Sequence, residues 1–283
     1  QFKKEYIQRQ IEKNVSGVAE LSTVPKGYED IKGIYSCGDY ILNDEGVKKT
    51  AKTKDGDFIL VPICSHPLLI VERLRNIQDN CEKVVLAFCV GNRWETVQVE
   101  REVIASNTKI IRLANSSIDV TSETAKDIVK YLQCLMQKNI NLIKVSHTVN
   151  RLGWKDGEFV PYSDKVKCDS ITEFSGIYRA IESKGNYELW RKHCLKLREN
   201  IYLRLTMAAS FAAPLIEIIG GLPFIVHIWG GTGAGKTVAL NVAASVWGKP
   251  SGGLVRTLNG TSYGISETAA FMYSLPCILD ELQ

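Results

Sequence analysis

The sequence holds eight cysteines but no C-x-x-C pair, so it lacks the ligand spacing of a structural zinc site. Cys64-Ser-His66 and the adjacent His193-Cys194 come nearest to ligand pairs, and no second pair at a matching spacing accompanies either. A strong charge of one sign is missing too. With 35 basic and 31 acidic residues the formal net charge is +4, which permits nucleic-acid binding without arguing for it. There is no internal repeat, no low-complexity segment and no signal-peptide pattern, although a chain opening on Gln1 does not show its natural start. Uninterrupted long apolar runs are also lacking. The longest apolar region, Met207 to Trp229, is broken by Pro214, Glu217, Gly220, Gly221 and Pro223. It predicts a buried helix followed by a core strand rather than a membrane span.

What is present suits a globular protein. The hydrophobic share of 45% and charged share of 23% are ordinary, and 283 residues suffice to bury a full core, with two domains expected. Residues 1–27 predict a short helical arm with Phe2, Ile7 and Ile11 among basic residues; a solvated face is a simpler account of those charges than a nucleic-acid arm. Residues 28–183 predict an α+β accessory domain with a largely antiparallel sheet. Within it Tyr40-Ile-Leu before Asn43-Asp-Glu-Gly46 predicts a hairpin, and Asp57 to Pro62 a strand. Lys83 to Val90 turns at Gly91-Asn92 into Trp94 to Val99. Thr121 to Asn139 predicts a helix whose apolar face is Ala125, Ile128, Val129, Leu132, Leu135 and Met136, capped by Thr121 or Ser122. Leu142 to Val145 follows as an apolar, strand-like run. Arg151-Leu-Gly-Trp154 and Phe159-Val-Pro161 then read as two short strands about Lys155-Asp-Gly157, with Trp154 and Phe159 packed together. From Thr172 to Ile219 a helical region is expected, with Trp190, Cys194, Leu197 and Ile201 on one stripe. Arg191, Lys192, Lys196, Arg198 and Arg204 could offer nucleic acid a basic patch, but a solvated connecting helix accounts for them more simply. Nothing in the first 200 residues forms a catalytic constellation, and His147 stands alone.

The chemistry concentrates near the end of the sequence. Val226-His-Ile-Trp-Gly-Gly-Thr-Gly-Ala-Gly-Lys-Thr237 meets the P-loop pattern G-x-x-x-x-G-K-[ST] through Gly230, Gly235, Lys236 and Thr237. Glycines let successive backbone N–H groups turn inward around phosphate oxygens, and a helix starting near Lys236 points its positive end at the same place. Gly230, Gly231, Thr232, Gly233, Ala234 and Gly235 would form the cradle, Lys236 would reach the β and γ phosphates of ATP, and Thr237 would bind magnesium. The pattern needs a strand before it and a helix after it; Phe224 to Trp229 predicts the first and Val238 to Trp247 the second, stopped by Gly248 and Pro250. Pro276-Cys-Ile-Leu-Asp280-Glu281 then predicts a buried strand ending on two carboxylates, the Walker B arrangement. Asp280 would hold magnesium through water and Glu281 would polarise the attacking water. The bland alternative is a strand ending in a solvated acidic turn. Between the two motifs there is room for a helix, a strand around Leu254 to Leu258 and a helix around Ile265 to Tyr273. Unpaired cysteines beside such a motif suit a reducing, cytoplasmic compartment.

Gly230 to Thr237, Ala244-Ser-Val-Trp-Gly248, Thr257 to Thr261, Leu279-Asp-Glu-Leu282 and, upstream, Gly153-Trp154 with Phe159-Val-Pro161 together resemble the domain of unknown function 927 family. That family occurs in phage and mobile elements, including the replication helicases of staphylococcal cassette chromosomes, and is similar to AAA+ ATPases. The resemblance implies an α/β fold in which residues 184–283 are the N-terminal part of a P-loop AAA+-like ATPase domain, truncated after the Walker B strand. It further implies ATP between neighbouring subunits of a homo-oligomeric, hexameric ring, with DNA as partner passing through the centre. Asn259 to Gly264 could then reach the pore, although an ordinary strand-to-helix loop is the simpler account. In AAA+ sheets the strand between the P-loop strand and the Walker B strand comes later in sequence, so a chain ending at Gln283 is expected to hydrolyse ATP poorly by itself. A P-loop ATPase that remodels protein partners is the competing expectation. A decayed ATPase is argued against by intact Lys236, Thr237, Asp280 and Glu281.

Overall fold

A computed structural model describes residues 18–31, 35–54, 58–169, 174–257 and 261–280 of the protein. The helical pattern expected around Phe2, Ile7 and Ile11 lies outside those residues. The chain divides into two compact units, Gln1–Ser146 and His147–Gln283.

In the first unit, β1 (Tyr40–Asn43), β2 (Gly46–Lys52) and β3 (Phe58–Cys64) form an antiparallel sheet in that order. Asn43 pairs with Gly46, so Asp44 and Glu45 make the turn. Gly46 is fixed by two constraints at once: its φ is +115°, and a Cβ would stand 2.3 Å from the Cys64 carbonyl oxygen. A second antiparallel run follows through β4 (Leu68–Asn76), β5 (Glu82–Val90) and β6 (Arg93–Glu100). Gly91 and Asn92 both take positive φ, 56° and 64°, the left-handed pair that lets a two-residue turn follow the twist of its strands. β4 is the most buried strand of the unit and does not emerge from the sequence pattern. Leu68-Leu-Ile-Val71 is apolar on both faces, so it lacks the alternation that marks a half-wet strand.

After the short helix α1 (Arg101–Ala105), α2 (Ala125–Lys138) lies against β3 and β4. Its buried face is the expected one, with Tyr131 added; the Tyr131 hydroxyl donates to the Leu68 carbonyl at 2.7 Å. Thr121 acts one step before the helix rather than as its cap: its Oγ1 accepts from the Thr124 N–H at 3.3 Å. Beside β4 runs β7 (Lys144–Val149), inside which the division of units falls. In the first unit the buried Glu72 carboxylate accepts from the Tyr28 hydroxyl at 2.7 Å and from the Ser146 hydroxyl, so a buried charge is solvated by donors.

The second unit opens with the end of β7, then β8 (Gly153–Lys155) and β9 (Glu158–Val160), and β10 (Val166–Cys168), which pairs in parallel with His147 to Val149. β8 and β9 are the expected hairpin: Asp156 and Gly157 turn it at φ 49° and 82°, and the Trp154 and Phe159 rings meet edge to face at 4.8 Å. Helices α3 (Ser175–Ala180), α4 (Tyr187–Leu197), α5 (Ile201–Ile218) and α6 (Lys236–Ala244) follow. Then come β11 (Val255–Thr257), α7 (Ser262–Met272) and β12 (Ile278–Asp280), with β11 and β12 parallel.

Three expectations are corrected here. The stripe from Trp190 to Ile201 breaks, because the Asn200 side chain accepts from Tyr202 N at 2.9 Å and Leu203 N at 3.3 Å, starting a new helix. Phe224 to Trp229 is not a strand. Among the described residues no strand lies beside it, so its apolar side chains stay bare, with Ile225 94% and Trp229 85% exposed. β-favouring residues do not make a strand without a ladder partner. α5, expected to be a buried helix, buries only Thr206, Met207 and Ser210 and is, by length and composition alone, long and apolar enough to cross a membrane.

The compact division falls at 146/147. The reason is packing within the second unit. The Trp154 indole N–H donates to the Pro214 carbonyl at 2.7 Å, and the Phe159 and Trp247 rings stand 6.2 Å apart, so the hairpin belongs with α5 and α6. α3 is tied in at Gly248, where a Cβ would lie 1.9 Å from the Ala180 carbonyl oxygen, and the next residue, Lys249, donates its N–H to that oxygen at 2.8 Å.

Gly248→Ala is therefore expected to destabilise the protein by about 2–3 kcal/mol through overpacking against backbone, well beyond the ~1 kcal/mol of Gly157→Ala, where only the positive φ opposes a side chain. Chemical denaturation of the two variants checks the ranking. A second expectation concerns His66, which is buried beside Phe88 with no hydrogen-bond partner on Nε2. Burial lowers its pKa below the ordinary 6.5, with Asp119 pulling weakly the other way. The unfolded chain then takes the proton first, so stability falls as pH drops below about 6.5 and levels once the folded imidazole is also charged. Relative to His66→Gln, the wild type should lose stability as pH falls through about 6.5, read from melting curves.

Candidate phosphate-binding site

The glycine loop runs from Gly230 to Gly235 and feeds directly into α6. Gly233 and Gly235 take φ +80° and +83°, and Gly235 is the N-cap of the helix. A Cβ at Gly231, Gly233 or Gly235 would meet no atom within 4 Å. At Gly233 and Gly235, then, glycine answers to backbone conformation and not to crowding, and the loop's face is open. Ala234 N donates to the Gly231 carbonyl at 3.3 Å, tightening the turn, and Ala239 N to the Gly235 carbonyl at 3.0 Å starts the helical ladder. No side chain caps the helix start. The helix's positive end is left facing the loop.

Lys236 folds back over this loop. Its Nζ donates to the carbonyls of Gly230 at 2.8 Å and Gly231 at 3.0 Å, which holds the ammonium at the loop's mouth. Thr237 is exposed in the first turn of α6, next to it. At the other end of the helix two relays satisfy the last carbonyls. Ser245 Oγ donates to Val242 O at 2.7 Å and accepts from the Trp190 indole at 3.1 Å; Ser210 Oγ donates to Ala243 O at 2.8 Å and accepts from the Trp247 indole at 3.1 Å. The sequence gives no sign of these relays beyond tryptophans near a helix end.

Asp280 is half-buried at the end of β12, in register with Thr257 of β11, and both strands lie against α6. Lys236 and Thr237 at the head of α6 and Asp280 on a strand against that helix thus belong to one compact unit. Glu281 lies outside the described residues, as do Asn259 and Gly260; the rest of that loop starts α7, with Thr261 Oγ1 accepting from Gly264 N at 3.2 Å. Among the described residues no group of three or more His, Cys, Asp or Glu side chains could hold a metal ion. A cation at Thr237 and Asp280 would depend on oxygens brought by its ligand. Burial pushes the Cys64 thiol up to about 11, so Cys64-Ser-His66 is not a thiolate centre.

The fold is thus mixed α/β with antiparallel sheets in front of a glycine loop, a helix and a parallel strand pair. Residues 40–283 match the family described as Domain of unknown function (DUF927), and the protein belongs to that family. It is also similar to the solved structure of SCCmec type IV Cch, described as an active helicase, with a TM-score of 0.62 and 18% identity over 88% of this chain and 49% of that one. Such an identity speaks for the fold alone, and the chain spans about half the length of that protein. No curated protein matches it.

Proposed function

We propose that the second unit is the nucleotide-binding part of an AAA+-type P-loop ATPase, and that the whole protein is a DNA helicase or replication initiator of a mobile element. The observation that carries the reading is the loop itself: left-handed Gly233 and Gly235 opening into α6, with the Lys236 ammonium held across its mouth by two carbonyls. An ammonium parked on weak acceptors is ready to exchange them for phosphate oxygens. The open face leaves the backbone N–H groups of Gly231, Thr232, Gly233, Gly235 and Lys236 for the α and β phosphates of ATP. Magnesium would neutralise phosphate charge, held by the Thr237 hydroxyl and, through water, by Asp280; Glu281 would orient and polarise the attacking water.

Placement in the AAA+ class is supported by the glycine loop, α6 and the parallel pair of β11 and β12 following one another in that chain order. DNA as the partner is supported by likeness to a helicase structure, a warrant by analogy. A cytoplasmic, hexameric ring without membrane attachment belongs to the same reading. Remodelling of protein partners is the second one, since nothing in the loop's geometry selects DNA.

Lys236→Ala should weaken ATP binding at least tenfold, whereas Glu281→Gln should leave binding within about twofold and slow hydrolysis on the order of a hundredfold. Equal loss of binding in both variants would make Glu281 structural. In the full-length protein, hydrolysis should rise with single-stranded or duplex DNA and the rise should vanish in Glu281→Gln; a DNA-indifferent rate would move the weight to protein partners.

A further inference from the structure

The segment Arg151 to Trp154, which continues directly from β7, lies across the turn that leads from α7 into β12. Leu152 N donates to the Phe271 carbonyl at 2.8 Å, and Trp154 N donates to the Ser274 hydroxyl at 3.3 Å. Gly153, at φ +90°, runs so close that a Cβ would stand 2.5 Å from Ser274 Oγ, so only glycine lets the two segments touch. Ser274 is buried and passes the contact on: its hydroxyl donates to the Glu217 carboxylate on α5 at 2.7 Å. Beside it the Arg151 guanidinium sits 3.2 Å from the centroid of the Tyr273 ring. Tyr273 takes φ +39° with ψ −90°, a positive-φ backbone outside the allowed basins that a tyrosine adopts only when its surroundings hold it there. Asp280 follows seven residues after Tyr273 in the sequence, through Leu275, which is buried.

We propose that this strap is a positioning element for the metal side of the nucleotide site. Arg151 and Ser274 hold the strained turn, the turn fixes where β12 begins, and β12 sets Asp280 relative to the head of α6. The inference rests on the reading of Asp280 as the carboxylate that meets magnesium through water. Neither Arg151 nor Ser274 touches nucleotide; each acts through the turn. Because the Arg151–Tyr273 contact touches neither α5 nor α6, loosening the strap there should shift Asp280 and leave the glycine loop unchanged.

The test is a titration of a fluorescent ATP analogue onto the 283-residue chain, first without divalent metal and then at rising magnesium, for wild type, Arg151→Ala, Arg151→Lys and Ser274→Ala. Melting curves identify any variant that fails to fold, and half-exposed Tyr273 makes Arg151→Ala the variant best tolerated. Metal-free affinity should stay within about twofold of wild type in every folded variant. The magnesium needed for half its effect should rise about five- to tenfold in Arg151→Ala and Ser274→Ala, with Arg151→Lys recovering most of the loss. An unchanged magnesium response in folded Arg151→Ala overturns the proposal, as does equal loss of metal-free binding. A wild type that binds no analogue under either condition would instead fail the P-loop reading itself, and this proposal would fall with it.

Discussion

A helix of nine residues is too short to hold its place by its own hydrogen bonds, and α6 has to hold it because the glycine loop grows from its start. What fixes α6 is the satisfaction of its last carbonyls. Ser210 and Ser245 take Ala243 O and Val242 O, and each serine is in turn oriented by an indole N–H, from Trp247 and Trp190. Serine alone could rotate its hydroxyl away; a donor behind it fixes the direction in which it gives its own proton. The relays also recruit α4 and α5, since Trp190 and Ser210 sit on those helices. The loop end is thereby left free of side-chain caps, and its polar groups stay open to a ligand. Stability is placed at one end of the helix and open polar groups at the other.

The same logic runs through the buried polar groups of the first unit. Glu72 is held by two hydroxyls, and Asn139 closes α2 by accepting from Ser36 N at 2.7 Å while donating to Ser36 O at 2.6 Å and Leu135 O at 2.8 Å. The Glu72 and Ser36 bonds tie residues far apart in sequence, so the antiparallel sheets, the helix and the preceding loop are specified by paired polar contacts as well as by apolar packing. His66 Nε2 is the exception among the described residues, and burial without a partner makes its protonation costly.

How much of this was legible depends on whether the signal was local. Turn chemistry is local, so Asn43 to Gly46, Gly91-Asn92 and Lys155 to Gly157 could be read from residue types that tolerate left-handed backbone. The buried face of α2 repeats at helical spacing and was equally plain, as was the glycine-rich loop that runs into α6. β4 was not, because a strand buried on both faces has no alternation. The break between α4 and α5 hangs on a single capping side chain, Asn200, set in an otherwise helical run. Least legible of all were contacts across long sequence gaps: Ser274 with Trp154, Ser210 with Trp247, Gly248 with Ala180. A glycine read as a helix stop at 248 proves to be required by a carbonyl from α3, a partner that no local pattern names.

Phe224 to Trp229 shows where local signal misleads. Its residues favour strand, it precedes a glycine loop, and yet it has no ladder among the described residues. An isolated apolar strand gains neither hydrogen bonds nor burial, and exposing Leu222, Ile225 and Trp229 at 86%, 94% and 85% opposes folding rather than driving it. The loop nonetheless keeps its shape. Its left-handed glycines, the Lys236 bonds and the anchored α6 all act downstream of residue 229, so the loop's geometry is set from the helix side. Formation of the loop is thus separable from burial of Phe224 to Trp229, because the first is built into α6 and needs no ladder partner for the second.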